Sequence, residues 1–184
     1  MVRVVRSLGL VAALAVCGAA LQASDVPSHH PVMDSETTQQ LTVAASSLVQ
    51  QRSAALVQKE RHDRSSPREV LGVRFSPKLV QAQDRAVHEL ENRNRAPVEG
   101  GPALLGAHTR LESGRAVRKG DRITLEAIER TEVEYENGRL SQSVRRRFEF
   151  TTRDEQITLV GERVVDPSAH PLNDADPGSD VPSH

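Results

Sequence analysis

The chain has 184 residues, 24 Lys and Arg against 25 Asp and Glu, one Cys, one Tyr, three Phe and no Trp. A net charge of −1 argues against nucleic acid, which needs a basic footprint. Its apolar material is Leu, Val, Ile and Ala, enough for the small core of one domain and too little to order long terminal segments.

Arg3 and Arg6 precede an apolar run from Leu8 to Leu21, the charge-then-apolar order of a secretory leader over residues 1–23. The run falls short of the roughly 20 apolar residues that span a bilayer. Small side chains place cleavage after Ala23, with Ala20 as the second choice. Cleavage after Ala23 removes Arg3, Arg6 and Cys17, which takes the net charge to −3 and leaves no thiol for a disulfide, for catalysis or for a metal. Lipidation of Cys17 is the competing reading, disfavoured because Val16 stands where a small residue is normal. The chain is therefore expected to be secreted and extracellular, with no transmembrane segment once the leader is gone.

Residues 24–34 are rich in His, Pro and Ser, and residues 167–184 in Pro, Asp and Gly; both are expected to be solvated tails flanking a domain over 35–166. Between Ser35 and Glu60, Leu41, Ala45, Leu48, Ala55 and Leu56 recur at helical spacing, with Asp34 or Ser35 as the cap. Lys59 to Arg68 reads as a charged loop. Ser76-Pro77 opens a second helix, a cap residue followed by the proline favoured at the first helical position. Its stripe runs through Leu79, Val80, Gln83, Val87 and Leu90, and Pro97 stops it near Arg95.

From Leu104 the period becomes two. Leu105, Ala107, Thr109 and Leu111 alternate with polar neighbours, Lys119-Gly120-Asp121 turns, and Ile123, Leu125, Ala127, Thr131, Val133 and Tyr135 alternate again. Asn137-Gly138 is the preferred pair for a type I′ hairpin turn. Centring the turn there sets Tyr135 against Leu140, Thr131 against Val144, Glu129 against Arg146, Ala127 against Phe148 and Leu125 against Phe150. Arg153-Asp154-Glu155 turns into a last strand with Ile157 and Leu159, and Gly161 marks a bulge. The expected fold is α+β: two N-terminal helices packed on a curved antiparallel meander of about four strands.

This plan resembles the cystatin-like and NTF2-like folds. The segments Gly120-Asp121-Arg122-Ile123-Thr124-Leu125, Arg145-Arg146-Arg147-Phe148 and Val164-Val165-Asp166-Pro167 resemble the N-terminal module of secreted actinobacterial proteins, some of which carry an amidase-type domain behind it. The resemblance covers about Thr37 to Asp176. It implies the module and not the amidase activity, since the amidase-type domain would follow this segment.

No phosphate loop, G-x-S-x-G elbow or H-E-x-x-H motif occurs. His29-His30 and the stretch Asp174 to Asp180 read as solvated chain rather than as metal or calcium sites, so no metal and no cofactor are expected. Glu129 and Arg146 are the notable pair: both fall on the apolar face of the hairpin, where a lone charge is costly and a paired one tolerable. With Tyr135 on the same face, they are the candidate ligand-binding residues; no catalytic residue is assigned. Glu126, Glu132 and Glu134 alternate with Arg130, Arg145 and Arg147 on the opposite face, which reads as solvated sheet surface. Ser24-Asp25-Val26-Pro27-Ser28-His29 recurs as Ser179-Asp180-Val181-Pro182-Ser183-His184, with no physical account for the repetition.

The leading expectation is a secreted, non-enzymatic binding or interaction module that recognises an extracellular or cell-envelope protein or small ligand. The competing ones are a small-pocket NTF2-like enzyme using Glu129 and Arg146, and an accessory or regulatory module of a separate cell-wall hydrolase.

Overall fold

The computed structural model describes residues 31–57, 66–93, 101–102 and 104–175. The leader, its cleavage site, His29-His30 and both copies of the repeated hexapeptide lie outside the described residues. Helix α1 spans Ser35–Val57 and α2 spans Pro77–Asn92. The strands are β1 (Glu69–Val70), β2 (Val73–Phe75), β3 (Leu104–Lys119), β4 (Arg122–Tyr135), β5 (Gly138–Arg153) and β6 (Gln156–Val164). No helix among the described residues is long and apolar enough to cross a membrane.

Both helices start as their sequences dictate. The Asp34 carboxylate accepts from the Thr37 N–H at 2.8 Å and from the Thr37 hydroxyl at 2.8 Å, satisfying a free amide of the first turn. Those bonds hold the Asp34 carboxyl below the usual carboxylate range. Ser76 Oγ accepts from the Leu79 N–H at 3.2 Å, and Pro77 follows at the position where its missing N–H costs nothing.

The four-strand meander is a correction. The sheet has six strands in the order β1-β2-β6-β5-β4-β3, and it is mixed, because β2 runs parallel to β6 from Val73↔Ile157 to Phe75↔Leu159. The added β1–β2 hairpin is too short to display an alternation. It turns at Leu71 and Gly72, whose φ values of 49° and 77° are the paired positive angles of a type I′ turn. A second such turn joins β5 to β6 at Asp154 (φ 48°) and Glu155 (φ 65°).

The β4–β5 turn departs from expectation as well. Tyr135 pairs with Gly138, so Glu136 and Asn137 form the loop, and the ladder runs Val133↔Leu140, Glu129↔Val144, Ala127↔Arg146, Leu125↔Phe148 and Ile123↔Phe150. Every pairing is displaced by two residues from the Asn137-Gly138 register. A shift of two preserves which side chains face inward, whereas a shift of one would have inverted them. Burial along β4 alternates accordingly, with Ile123, Leu125, Ala127, Glu129, Thr131 and Val133 inside.

Bulges re-aim the flanking strands. Leu104 pairs with Tyr135 and Gly106 with Glu134, leaving Leu105 extra and exposed, contrary to its expected inward position, while Leu104 is buried. Phe150 pairs with Leu159 but Glu149 with Gly161, so Val160 is extra, and Glu162 rather than Gly161 faces inward beyond the irregularity. The expected tail is corrected at its start. Residues 167–175 fold back onto the domain, and Asn173 is completely buried.

Two apolar clusters form the core between the helices and the sheet. One joins Leu41, Ala45, Leu48 and Val49 of α1 to Leu125, Phe148, Phe150 and Leu159. The other joins Ala55 and Leu56 to Val87, Leu90, Leu104 and Val133, with Leu172 and Tyr135 packed against it.

Candidate functional site

Between the two clusters lies a polar layer. On α1 it begins where Arg52 and Ser53 interrupt the stripe; on β4 it is Glu129 and Thr131; on β3, Thr109; on β5, Arg146; and on β6, Glu162. Asn173 and Asp174 close it from the C-terminal side.

Arg146 organises the layer, each nitrogen taking its own carboxylate. Nε meets Glu129 Oε2 at 2.6 Å, Nη2 meets Asp174 Oδ1 at 2.9 Å, and Nη1 meets Glu162 Oε2 at 3.5 Å. Burial by itself disfavours the charge, but Glu162, Glu129 and Asp174 together outweigh it and raise the guanidinium pKa above its ordinary value. Arg52 Nη1 adds contacts to Glu162 at 2.8 Å and Asp174 at 3.0 Å. Charge-assisted bonds of this kind make burial of the ions tolerable, because each lone charge would otherwise lose its hydration uncompensated.

Asn173 is the second organiser. Its Nδ2 donates to Glu129 Oε1 at 2.7 Å and lies 3.1 Å from Ser53 Oγ and 3.3 Å from the Val49 carbonyl. Ser53, Thr109 and Thr131 continue the layer as a hydroxyl chain, with the Ser53–Thr109 contact at 2.5 Å and the Thr109–Thr131 contact at 2.8 Å. Both Glu129 oxygens are thus engaged, and the residue has no exposed surface. A general acid or base must come within hydrogen-bond reach of the proton it moves, and among the described residues Glu129 bonds to Arg146 and Asn173 alone.

Of the three candidate residues the structure brings together two. Tyr135 lies six positions along β4 from Glu129, half-buried against the second apolar cluster, where desolvation raises its phenol pKa. Sequence reading missed Arg52, Glu162, Asn173 and Asp174. Arg52 carried a signal, standing four residues after Leu48 on the apolar stripe. Glu162 carried an indirect one in the bulge expected at Gly161; the extra residue is Val160, one position earlier, and it turns Glu162 inward.

The polar layer borders an open groove of about 490 Å³ between α2 and β6. Its walls are Lys78, Leu79, Ala82 and Ala86 on the helix and 160–164 on the strand, and Arg146, Glu162 and Asp174 form part of its floor. A volume of this size lies in the range of small-molecule and peptide sites. Among the described residues, no cluster of three or more His, Cys, Asp and Glu is arranged to hold a metal ion.

No known protein family matches the chain, and no curated protein matches it. Among solved structures it is similar to TerC, crystallised with polyporic acid, at 19% identity and a TM-score of 0.25, over 31% of this chain and 42% of that one. The match therefore spans less than half the length of TerC. It is also similar to the intermembrane space region of the chloroplast protein ARC6, at 13% identity and a TM-score of 0.38, over 73% of this chain and 98% of that one. At these TM-scores neither likeness carries a fold or a ligand to this chain.

Proposed function

We propose that this protein is a non-enzymatic binding module that works outside the cytoplasm and takes its ligand in the groove between α2 and β6. The leader over residues 1–23 supports the location. The observation that carries the binding reading is a contrast: Glu129 is fully buried with both oxygens held by Arg146 and Asn173, whereas the α2–β6 groove is open. That contrast favours recognition over the small-pocket enzyme built on Glu129 and Arg146, which needs a carboxylate able to meet substrate. The cystatin-like or NTF2-like resemblance and the role of accessory module for a cell-wall hydrolase are compatible with the same groove.

Amide-resolved NMR titration of the full chain tests this reading, with soluble peptidoglycan fragments and short extracellular-type peptides as probes. Binding should perturb Ala82, Ala86 and residues 160–164, and Ala86→Trp, which fills the groove, should abolish it while leaving the thermal melt unchanged. Perturbations centred on Thr109, Glu129 and Thr131, or turnover of a probe, would favour the enzyme instead.

A further inference from the structure

We infer that the groove receives an extended acidic peptide segment of a partner protein, which adds as a strand to the free edge of β6; the inference rests on the binding-module reading and specifies its ligand. β2 covers β6 only from Ile157 to Leu159, because the chain then leaves the sheet through Ser76, whose N–H takes the Leu159 carbonyl at 2.9 Å. Beyond Leu159 the outer edge of β6 has no strand beside it among the described residues.

The ladder tells which backbone groups face that edge. Val165 N–H donates to the Arg145 carbonyl at 2.8 Å, so residues 145 and 165 are a hydrogen-bonded pair. Antiparallel pairs alternate, which makes Arg147↔Arg163 and Glu149↔Gly161 hydrogen-bonded pairs and leaves Arg146↔Val164 and Phe148↔Glu162 non-bonded. The N–H and C=O groups of Glu162 and Val164 therefore point away from β5, into the groove. They present donors and acceptors two residues apart, the spacing an added strand requires.

The walls define the partner's side chains. Five strand residues, 160–164, give an edge roughly 13 Å long at about 3.3 Å per step, enough for four to five extended residues. Toward the helix the added strand meets Leu79, Ala82 and Ala86, which suit small or β-branched apolar groups at alternate positions. The remaining positions meet Lys78 and Arg163, because the two carboxylates on the groove floor, Glu162 and Asp174, are already paired with Arg52 and Arg146. Lys78 has no carboxylate partner among the described residues, and Arg163, on the outer face of β6, has only Glu149 at 4.0 Å. Alternating acidic and apolar residues complement both walls.

The probe is the capped hexapeptide acetyl-Glu-Val-Glu-Val-Glu-Val-amide, titrated into the full chain and read by amide hydrogen exchange and shift changes. The expected result is protection of the Glu162 and Val164 amides, with at least tenfold weaker binding for Val164→Pro, for the peptide N-methylated at alternate residues, and for the Lys-Val counterpart. Val164→Pro removes only an outward N–H, a strand position where proline is tolerated, and Val164→Thr, which keeps the N–H, should bind within twofold of the parent. Equal binding of the N-methylated peptide in the groove would overturn strand addition and leave the binding module standing. Glu162 and Val164 amides already protected without peptide, or no binding at all, would also overturn it.

Discussion

Glu129 and Arg146 meet diagonally across the β4–β5 ladder. Glu129 is opposite Val144 and Arg146 is opposite Ala127, yet Nε and Oε2 are 2.6 Å apart. A long guanidinium reaches a diagonal neighbour readily, and the offset frees its Nη atoms for Asp174 and Glu162. Breaking one side of a buried pair strands the other charge, so Arg146→Met should cost roughly 3–5 kcal/mol. The double variant Glu129→Leu/Arg146→Met should cost less than the sum of its single changes, with a coupling of about 0.5–3 kcal/mol. Urea unfolding of the four proteins in the cycle measures both; strict additivity would mean that the pair does not interact.

Three glycines should separate by mechanism. A Cβ on Gly114 would stand 2.6 Å from the Glu126 carbonyl oxygen, a backbone atom that cannot yield cheaply, so Gly114→Ala should destabilise by roughly 1–3 kcal/mol. Gly120 has open space but a φ of 63°, and Gly120→Ala should cost about 1–2 kcal/mol through backbone strain. Gly161 has neither obstacle, and Gly161→Ala should stay within about 0.5 kcal/mol. Equal effects at Gly114 and Gly161 in chemical denaturation would contradict the packing of β3 on β4.

Tyr135 is the only tyrosine in a chain without tryptophan, so its titration can be followed by absorbance alone. Desolvation raises its folded-state pKa above the ordinary phenol value of about 10. The folded protein then holds the phenolic proton more tightly than the unfolded chain. The stability this contributes is fully present below pH 10 and is lost as the pH rises through the folded-state value. A spectrophotometric midpoint at or below 10 would show the ring to be solvated.

The Asp154-Glu155 turn places a glutamate at φ 65°, where a Cβ is unfavourable. Glu155→Gly supplies the Asp-Gly pair preferred by a type I′ turn and should raise stability by roughly 0.5–1 kcal/mol after the entropy of the added glycine is counted. A loss of stability in thermal unfolding would contradict the turn assignment.

The helices were legible because caps and stripes are local signals: Ser76-Pro77 and the run Leu79, Gln83, Val87, Leu90 needed nothing from elsewhere in the chain. Alternation along β4 was equally plain, and it placed Glu129 and Arg146 inside even though the turn sits one residue earlier than Asn137-Gly138 suggests, because a displacement of two keeps each face intact. The β1–β2 hairpin was not legible, its strands being two and three residues long. Leu105 and Glu162 were misplaced or missed for one reason: a single bulge inverts the alternation beyond it, and no residue type announced it at Leu105. Asn173 and Asp174 lie in a Pro- and Asp-rich stretch that reads as solvated. Their order comes from partners 44 residues and 28 residues away, Glu129 and Arg146, a tertiary cause with no local signature.

Asn173 and Asp174 close the ionic layer over Glu129, and the proposal that the ligand enters the α2–β6 groove rather than meeting Glu129 rests on that closure. The direct measurement is solution NMR of the Asn173 side-chain amide. Seated against Glu129, Ser53 and Thr109, it should exchange slowly with water and show nuclear Overhauser contacts to the methyl groups of Thr109 and Thr131. Random-coil shifts with rapid water exchange at Asn173 would mean that Glu129 is open to solvent, and would contradict the account.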